Sequence, residues 1–270
     1  MGSSGRQRRM GGLHLHRFSV SLKPGWGFVL SGPLELEVPS GRAEIWGVER
    51  EELEVGEPGI PVLVRALEES RIEVWSLKPP SPIEDIVPRE WEDISSSLVK
   101  GDVVMLIGDV DVGKSSLFTF LANRAILSGL RVALLDSDVG QSDIGPVGTI
   151  GLAVVESPIV HPSLVEPRAL YFIGDSTPRG HLVPMVVGAG RLASIARREA
   201  DLVLVNTTGF VRSGPARCLK RYKMEAVGPN KVVLVQRGSE VEHISKLVPR
   251  GSEVIRICLL YTSPSPRDRG

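Results

Sequence analysis

Two hydrophobic rhythms divide this chain. From Leu13 to Ser76 apolar and polar residues alternate over short runs: Leu13-His-Leu-His-Arg-Phe-Ser-Val20, Leu34-Glu-Leu-Glu-Val38 and Arg71-Ile-Glu-Val-Trp75. A period of two marks a strand with one buried face. Glycine and proline break the runs at Pro24-Gly25, Ser31-Gly-Pro33, Ser40-Gly41 and Gly56-Glu-Pro-Gly59. Short strands between such turns predict a small all-β domain over 13–76, with Trp26, Trp46 and Trp75 in its core. The proline-rich run Leu77-Lys-Pro-Pro-Ser-Pro-Ile83 then reads as a linker, followed by a short helix from 89 to 98, so that 77–100 connects two domains.

From Gly101 the rhythm changes. Continuous apolar runs predict strands at 103–107, 131–136, 201–206 and 231–236, with further strands near 150–155 and 169–173. Between them the pattern predicts helices at 114–128, 182–199 and 213–226. Strands alternating with helices imply an α/β domain over 101–257, built on a doubly wound, mostly parallel sheet. Such sheets gather their ligands at the carboxyl ends of the strands, so the segments that follow strands carry the chemistry.

Composition narrows the picture without deciding it. With 270 residues and 42% hydrophobic content the chain can fill one large core or two modest ones. The formal net charge is zero, which removes a general basic field for coating nucleic acid but leaves room for a local strand-binding groove. No apolar run approaches the ~20 residues of a membrane span, and residues 1–12 lack the apolar core of a secretory signal. They read as a disordered leader with Met10 as an alternative start, and a cytoplasmic protein is the expectation. Cys218 and Cys258 offer neither a disulfide framework nor metal-ligand spacing.

The strand at 103–107 runs into Gly108-Asp109-Val110-Asp111-Val112-Gly113-Lys114-Ser115-Ser116, which fits G-x-x-x-x-G-K-S/T between a buried strand and a helix. The two glycines let the backbone wrap a phosphate with its N–H groups pointing inward. The helix start adds its positive dipole end. Lys114 suits the β- and γ-phosphates and Ser115 suits Mg²⁺, so the chain is expected to bind a nucleoside triphosphate such as ATP.

Two further segments follow strands. Asp136-Ser-Asp138-Val-Gly-Gln141 leaves the strand reached by the P-loop helix. Its two aspartates can divide the work, one serving Mg²⁺ and one accepting a hydroxyl proton. Asp136 is a candidate for the metal and Asp138 for the proton, the spacing leaving open which of them stands nearer the metal, with a plain Asx-turn as the structural alternative. Asn206-Thr207-Thr208-Gly209-Phe210 leaves the strand at 201–206 with two hydroxyls, a glycine that permits close approach to a phosphate, and an aromatic face for a base. Arg179, after the strand at 169–173, is a further candidate for the site. His161 and His181 read as ordinary polar positions. Arg217, Lys220 and Arg221 share a helix face that reads as solvated rather than as an RNA track. After the strand at 231–236 the chain has no Asn-Lys-x-Asp guanine reader, and no Leu-Ser-Gly-Gly transporter loop occurs.

Together the P-loop, Asp138-Val-Gly-Gln141 with Pro146-Val-Gly148, and Asn206-Thr-Thr-Gly-Phe210 resemble the 5′-hydroxyl polynucleotide kinases of RNA 3′-end processing, pre-rRNA processing and tRNA splicing, in their small archaeal-like form. The resemblance runs from about 13 to 257. It implies transfer of the ATP γ-phosphate to the 5′-hydroxyl of RNA or of single-stranded DNA, alongside RNA-processing proteins and away from any membrane. It implies that Lys114 stabilises the moving phosphoryl group and that Ser115 holds Mg²⁺. Asp138 stands at the carboxylate that activates the hydroxyl, while Thr207, Gly209 and Phe210 stand at the clasp on the substrate's terminal nucleotide; Gln141 and Arg179 are added as substrate-binding candidates. Phe210 replaces the tryptophan usual in that clasp. A non-catalytic ATP-binding scaffold of an RNA-processing complex, or a small-metabolite P-loop kinase, is the alternative.

The family continues past its last strand into an arginine-bearing lid and a further domain. Here Cys258-Leu-Leu-Tyr-Thr-Ser-Pro-Ser-Pro-Arg-Asp268 is aperiodic and resembles the in-frame translation of a transposon sequencing adapter. Residues 258–270 are therefore expected to be an artefact outside the fold, leaving a truncated chain that binds ATP and transfers phosphate weakly.

Overall fold

The run Val103-Val-Met-Leu-Ile107 shows no polar alternation because both of its faces are covered, and all five residues are buried. It belongs to the second of two units into which the computed structural model, describing residues 8–258, divides: one reaching to Glu92, the other starting at Asp93.

The first unit holds nine strands: β1 (Arg8–Met10), β2 (Leu13–Leu22), β3 (Gly27–Ser31), β4 (Leu34–Ser40), β5 (Ala43–Ile45), β6 (Val48–Glu49), β7 (Glu52–Val55), β8 (Pro61–Ala66) and β9 (Ser70–Ser76). They form a five-stranded sheet, β1-β2-β9-β4-β7, and a four-stranded sheet, β3-β8-β5-β6. Every pairing is antiparallel. Phe28, Leu34, Leu36, Val62, Val64, Ile72 and Val74 are fully buried, each at every second position of its strand. Trp46 and Trp75 are core residues as expected, whereas Trp26 is only half-buried.

The leader needs correction. Residues 8–10 form β1, paired with β2 from Arg8↔Leu15 to Met10↔Leu13, and Arg8 lies 3.8 Å from the ring centroid of Trp75. Arg8 also pairs with Glu35 and Glu37. A basic segment without apolar pattern becomes a strand because the sheet supplies carboxylates and an indole face.

A short helix, α1 (Arg89–Ser96), stands where one was expected. The second unit continues with β10 (Val103–Gly108), α2 (Lys114–Leu127), β11 (Val132–Ser137), β12 (Thr149–Val155), β13 (Ala169–Phe172), α3 (Leu182–Glu199), β14 (Leu202–Thr207), α4 (Gly214–Val227), β15 (Lys231–Gln236), α5 (Glu242–Ser245) and β16 (Glu253–Cys258). Its sheet has the order β13-β12-β11-β14-β10-β15-β16. The pairs among β11, β14, β10, β15 and β16 are parallel, and β12 runs against both of its neighbours. Val103, Met105, Ala133, Leu135, Val203 and Val205 pack with Met185, Ala189 and Leu192 of α3 and with Leu219 and Met224 of α4. The intervening residues Val104, Leu106, Leu134 and Leu204 turn to the opposite face, where α2 crosses β10, β11 and β14. The doubly wound, mostly parallel reading is thus what the chain forms.

The C-terminal reading also changes. The strand β16 pairs with β15 from Lys231↔Glu253 to Gln236↔Cys258. Cys258 is therefore the last residue of a strand rather than the first of an aperiodic tail. The rest of the segment read as adapter, 259–270, lies outside the described residues.

Candidate active site

The registers Leu106↔Asn206 and Ser137↔Thr207 bring the carboxyl ends of β10, β14 and β11 level with one another. The P-loop, the acidic loop and the loop after β14 therefore emerge side by side.

In the P-loop, a Cβ on Gly108 would stand 2.5 Å from Val235 O and 2.6 Å from Val112 Cγ2, so only glycine fits. Asp111 and Gly113 turn the loop with φ of 57° and 76°. Helix α2 starts at Gly113 with no side-chain cap. Its first N–H groups thus have no acceptor within the helix and remain available to an anion. Lys114 is buried, and its Nζ donates to Asp109 O at 2.6 Å. Burial lowers the lysine's pKa, opposed chiefly by the charge of Asp138 and then by Asp109, Asp111 and Asp136. The uncapped helix start, the glycine cradle, Lys114 and the Ser115 hydroxyl on the first turn form a donor set that fits a triphosphate with Mg²⁺.

The acidic loop separates its two aspartates. Asp136 is buried, and each of its oxygens accepts twice: Oδ1 from Asp138 N (3.1 Å) and Asn206 Nδ2 (3.2 Å), Oδ2 from Asp143 N (2.6 Å) and Ile144 N (3.3 Å). Burial, followed by the charge of Asp143, raises its pKa to about 7. Its lone pairs are thus engaged in shaping the loop. Asp138 is half-buried and accepts through Oδ1 from Gly140 N (3.2 Å) and Gln141 N (3.3 Å). Gln141 enters this arrangement through its backbone, and its side chain is exposed. Among the described residues no group of three or more His, Cys, Asp or Glu side chains is spaced to hold a metal.

The loop after β14 departs further from expectation. Thr207 is fully buried; its Oγ1 donates to Leu106 O at 2.8 Å and accepts from Lys220 Nζ at 2.9 Å. It braces strands and cannot touch a substrate. Gly209 is needed because a Cβ would lie 2.5 Å from Val110 Cγ2 and 2.7 Å from Val110 N. Its close approach is to the P-loop backbone, not to a phosphate. Phe210 is half-buried and, with Arg179, Leu182, Val183 and Pro215, lines a depression of about 680 Å³. Arg179 and Phe210, distant in sequence, thus meet on one surface.

Three residues escaped the sequence reading. Arg212 reaches the P-loop, its Nε donating to Asp109 Oδ2 at 2.6 Å. Lys220, read as solvated, is fully buried, as is Lys223. The signal was present: the buried positions of α4 are 216, 219, 220, 223, 224 and 227, a regular helical stripe on which both lysines fall. Arg217 and Arg221 are exposed as expected. His161 is buried, and its Nδ1 accepts from Ser163 N at 3.2 Å, a satisfied position.

The geometry has clear relatives. The family model described as "mRNA cleavage and polyadenylation factor CLP1 P-loop" matches residues 108–266, more than half of the chain, and it runs into the segment read as adapter. A polyribonucleotide 5′-hydroxyl-kinase of Pyrococcus horikoshii is 44% identical over 151 residues, covering 56% of this chain and 42% of that protein. A protein of the same name from Methanocaldococcus jannaschii is 38% identical over 143 residues, 53% of this chain and 39% of its own length. The chain thus aligns with less than half the length of these curated relatives. Among solved structures, wild-type Clp1p in complex with Pcf11p superposes with a TM-score of 0.72 at 14% identity, over 94% of this chain and 69% of that one, a likeness of fold. With a phosphate loop and an acidic loop at the strand ends of one sheet, and the family model matching more than half of its residues, the chain belongs to the CLP1 P-loop family.

Proposed function

We propose that this chain carries the catalytic core of an ATP-dependent polynucleotide 5′-hydroxyl kinase acting on RNA. The observation that carries this reading is that Lys114 and Asp138 stand at the carboxyl ends of β10 and β11, the two strands flanking β14, with Asp138 the foremost charge acting on the lysine. A triphosphate-binding loop beside a half-buried carboxylate is what phosphoryl transfer to a hydroxyl requires. The relatives' printed activity, 5′-hydroxyl kinase on polyribonucleotide, supports the same substrate class.

In this reading the P-loop N–H groups and Lys114 hold the β- and γ-phosphates, and Ser115 holds Mg²⁺. When bound, the metal neutralises phosphate charge. Asp138 accepts the proton of the 5′-hydroxyl as its oxygen bonds to the γ-phosphorus. The bond to the β–γ bridging oxygen breaks, and ADP leaves with that oxygen's electron pair. The Arg179–Phe210 depression takes the terminal nucleotide, Phe210 stacking on its base and Arg179 meeting its phosphate. Single-stranded DNA fits the same chemistry. No helix among the described residues is long and apolar enough to cross a membrane; an RNA-processing role in the cytoplasm, alongside other processing proteins, completes the proposal.

The test is transfer of labelled γ-phosphate from ATP with Mg²⁺ to a 5′-hydroxyl RNA oligonucleotide. This chain is run beside a form extended at its C-terminus with the remaining part of a relative. Transfer that rises strongly on extension supports a core lacking charge-neutralising arginines, a contribution worth about 10³–10⁵ in rate where such an arginine is removed. Tight ATP binding with no transfer from either form overturns the kinase in favour of an ATP-holding scaffold. Turnover of a small hydroxyl compound in place of RNA points to a metabolite kinase.

A further inference from the structure

Helix α4 carries two lysines that no solvent reaches. Lys220 and Lys223 have no exposed surface, and a buried ammonium is costly unless its charge and its donors are met. Neither forms an ion pair among the described residues. Lys220 Nζ donates to Thr207 Oγ1 at 2.9 Å and to Thr208 O at 2.5 Å. Lys223 Nζ donates to Ser137 Oγ at 3.0 Å and, more weakly, to Ser137 O at 3.4 Å.

The two contacts repeat one design. The Thr207 hydroxyl passes its own proton to Leu106 O of β10 at 2.8 Å, and the Ser137 hydroxyl passes its proton to Asn206 O of β14 at 2.8 Å. Each lysine therefore acts on a hydroxyl that bridges two neighbouring strands. Between them the bridges cover β11, β14 and β10 at the ends where the three site loops begin. Asp138 follows Ser137 directly, and Gly209 and Phe210 follow Thr208.

The charges agree with this placement. Burial lowers the pKa of both lysines, Lys223 to about 8; the like charges of Lys223 and Lys114 lower Lys220 further, and Asp138 acts on both lysines as an opposing, attractive charge. An apolar pair would fill the same stripe of α4 without that desolvation cost, so stability alone gives no reason for lysine here.

We infer that Lys220 and Lys223 are positioning residues of the phosphotransfer site: Lys220 pegs the root of the Thr208-Gly209-Phe210 loop, and Lys223 pegs the root of the Asp138 loop. The inference rests on the kinase reading for its effect on rate, but the pegging is a property of the fold.

The test uses Lys220→Met and Lys223→Met in the full chain. Hydrogen exchange, measured by mass spectrometry, reads the pegging whether or not RNA is the substrate. Lys223→Met should lower protection across 138–141 by about tenfold and leave 207–211 unchanged, and Lys220→Met should do the reverse. Midpoints of thermal unfolding should stay level or rise, because a desolvated charge has gone. MgATP affinity should stay within about twofold, since neither lysine touches the P-loop's anion site. In the phosphotransfer assay kcat should fall by up to about 10²-fold for Lys223→Met, and KM for RNA should rise for Lys220→Met. Unchanged exchange in both loops overturns the inference, as does loss of unfolding temperature and activity together, which marks the lysines as simple packing. If either Met variant does not fold, Lys220→Gln and Lys223→Gln keep a donor without the charge. Protection of the pegged loop close to wild type in those variants supports pegging through the donor, with any remaining fall in kcat assigned to the charge; protection lowered equally in both loops overturns it. Absence of transfer by the unsubstituted protein, with the exchange pattern as expected, counts against the kinase reading and not against the pegs.

Discussion

Arg212 reaches across from the loop after β14 and places its guanidinium on Asp109 of the P-loop, Nε to Oδ2 at 2.6 Å. A carboxylate inside a phosphate-binding loop repels the ligand the loop is built for. Here its Oδ1 is occupied by Val110 N at 2.8 Å and its Oδ2 by the arginine, so the loop's acidity is cancelled from a neighbouring strand. Arg212→Ala should weaken MgATP binding about five- to tenfold by leaving the Asp109 charge uncompensated. Adding Asp109→Asn should recover most of that loss. Isothermal titration of the two single variants and the double variant checks it; a double variant as weak as Arg212→Ala refutes the compensation. Unfolding midpoints should barely move, because an ion pair this exposed adds little stability.

Gly209 predicts a second coupling between the same loops. Alanine there would drive its Cβ into Val110 Cγ2 and the Val110 backbone, at 2.5 and 2.7 Å. The backbone cannot rotate away, so Gly209→Ala should cost about 1–3 kcal/mol of stability. It should also weaken ATP binding, because the displaced residue is part of the phosphate cradle. Denaturant unfolding and nucleotide titration on one preparation test both effects.

Asp136 should give the fold an unusual pH dependence. Burial lifts its pKa from the ordinary aspartate range to about 7. The folded state then binds this proton more tightly than the unfolded state. The stability it contributes is greatest at acid pH and declines as pH rises from about 4 towards 7, by up to about 1.4 kcal/mol per pH unit. Asp102 and Asp201, whose pKa values are lowered, act in the opposite direction. The difference in unfolding free energy between wild type and Asp136→Asn, measured at several pH values, isolates the effect. That difference should shift against the wild type as pH rises from 4.5 to 7.5.

Asp138→Asn separates catalysis from binding. The amide can still accept from Gly140 N and Gln141 N, so the loop should keep its shape. It cannot take a proton. Transfer to RNA should drop by about 10²–10⁴-fold with ATP affinity retained. Activity close to wild type would remove Asp138 from the chemistry and bring the scaffold reading forward.

What was legible in the sequence is what lies close together along the chain. Strand, glycine loop and helix are contiguous from Val103 to Leu127, so the P-loop and its parallel sheet could be read directly, as could the acidic loop and the loop after β14. The alternation of apolar residues within Leu13–Ser76 sufficed for β2, β4 and β9 and for the all-β character of the first unit. Strands carried by partners rather than pattern were not legible. Residues 8–10 contain no alternation, and β16, all but its last residue inside the domain as read, was not recognised as a strand.

The sequence determined which residue types stand at each strand end; tertiary structure decided which of their atoms remain available. A threonine and a glycine in a loop look alike whether they meet a phosphate or another loop. Packing gave Thr207 to Leu106 and Lys220, Gly209 to Val110, and both oxygens of Asp136 to backbone N–H groups. The same packing turned two lysines of an apparently solvated helix inward, because α4 crosses the sheet where hydroxyls and carbonyls wait for donors. The periodicity of a helix shows which positions share a face, but whether that face meets water or polar strand ends depends on contacts between residues some 80 apart in the chain, such as Lys223 with Ser137.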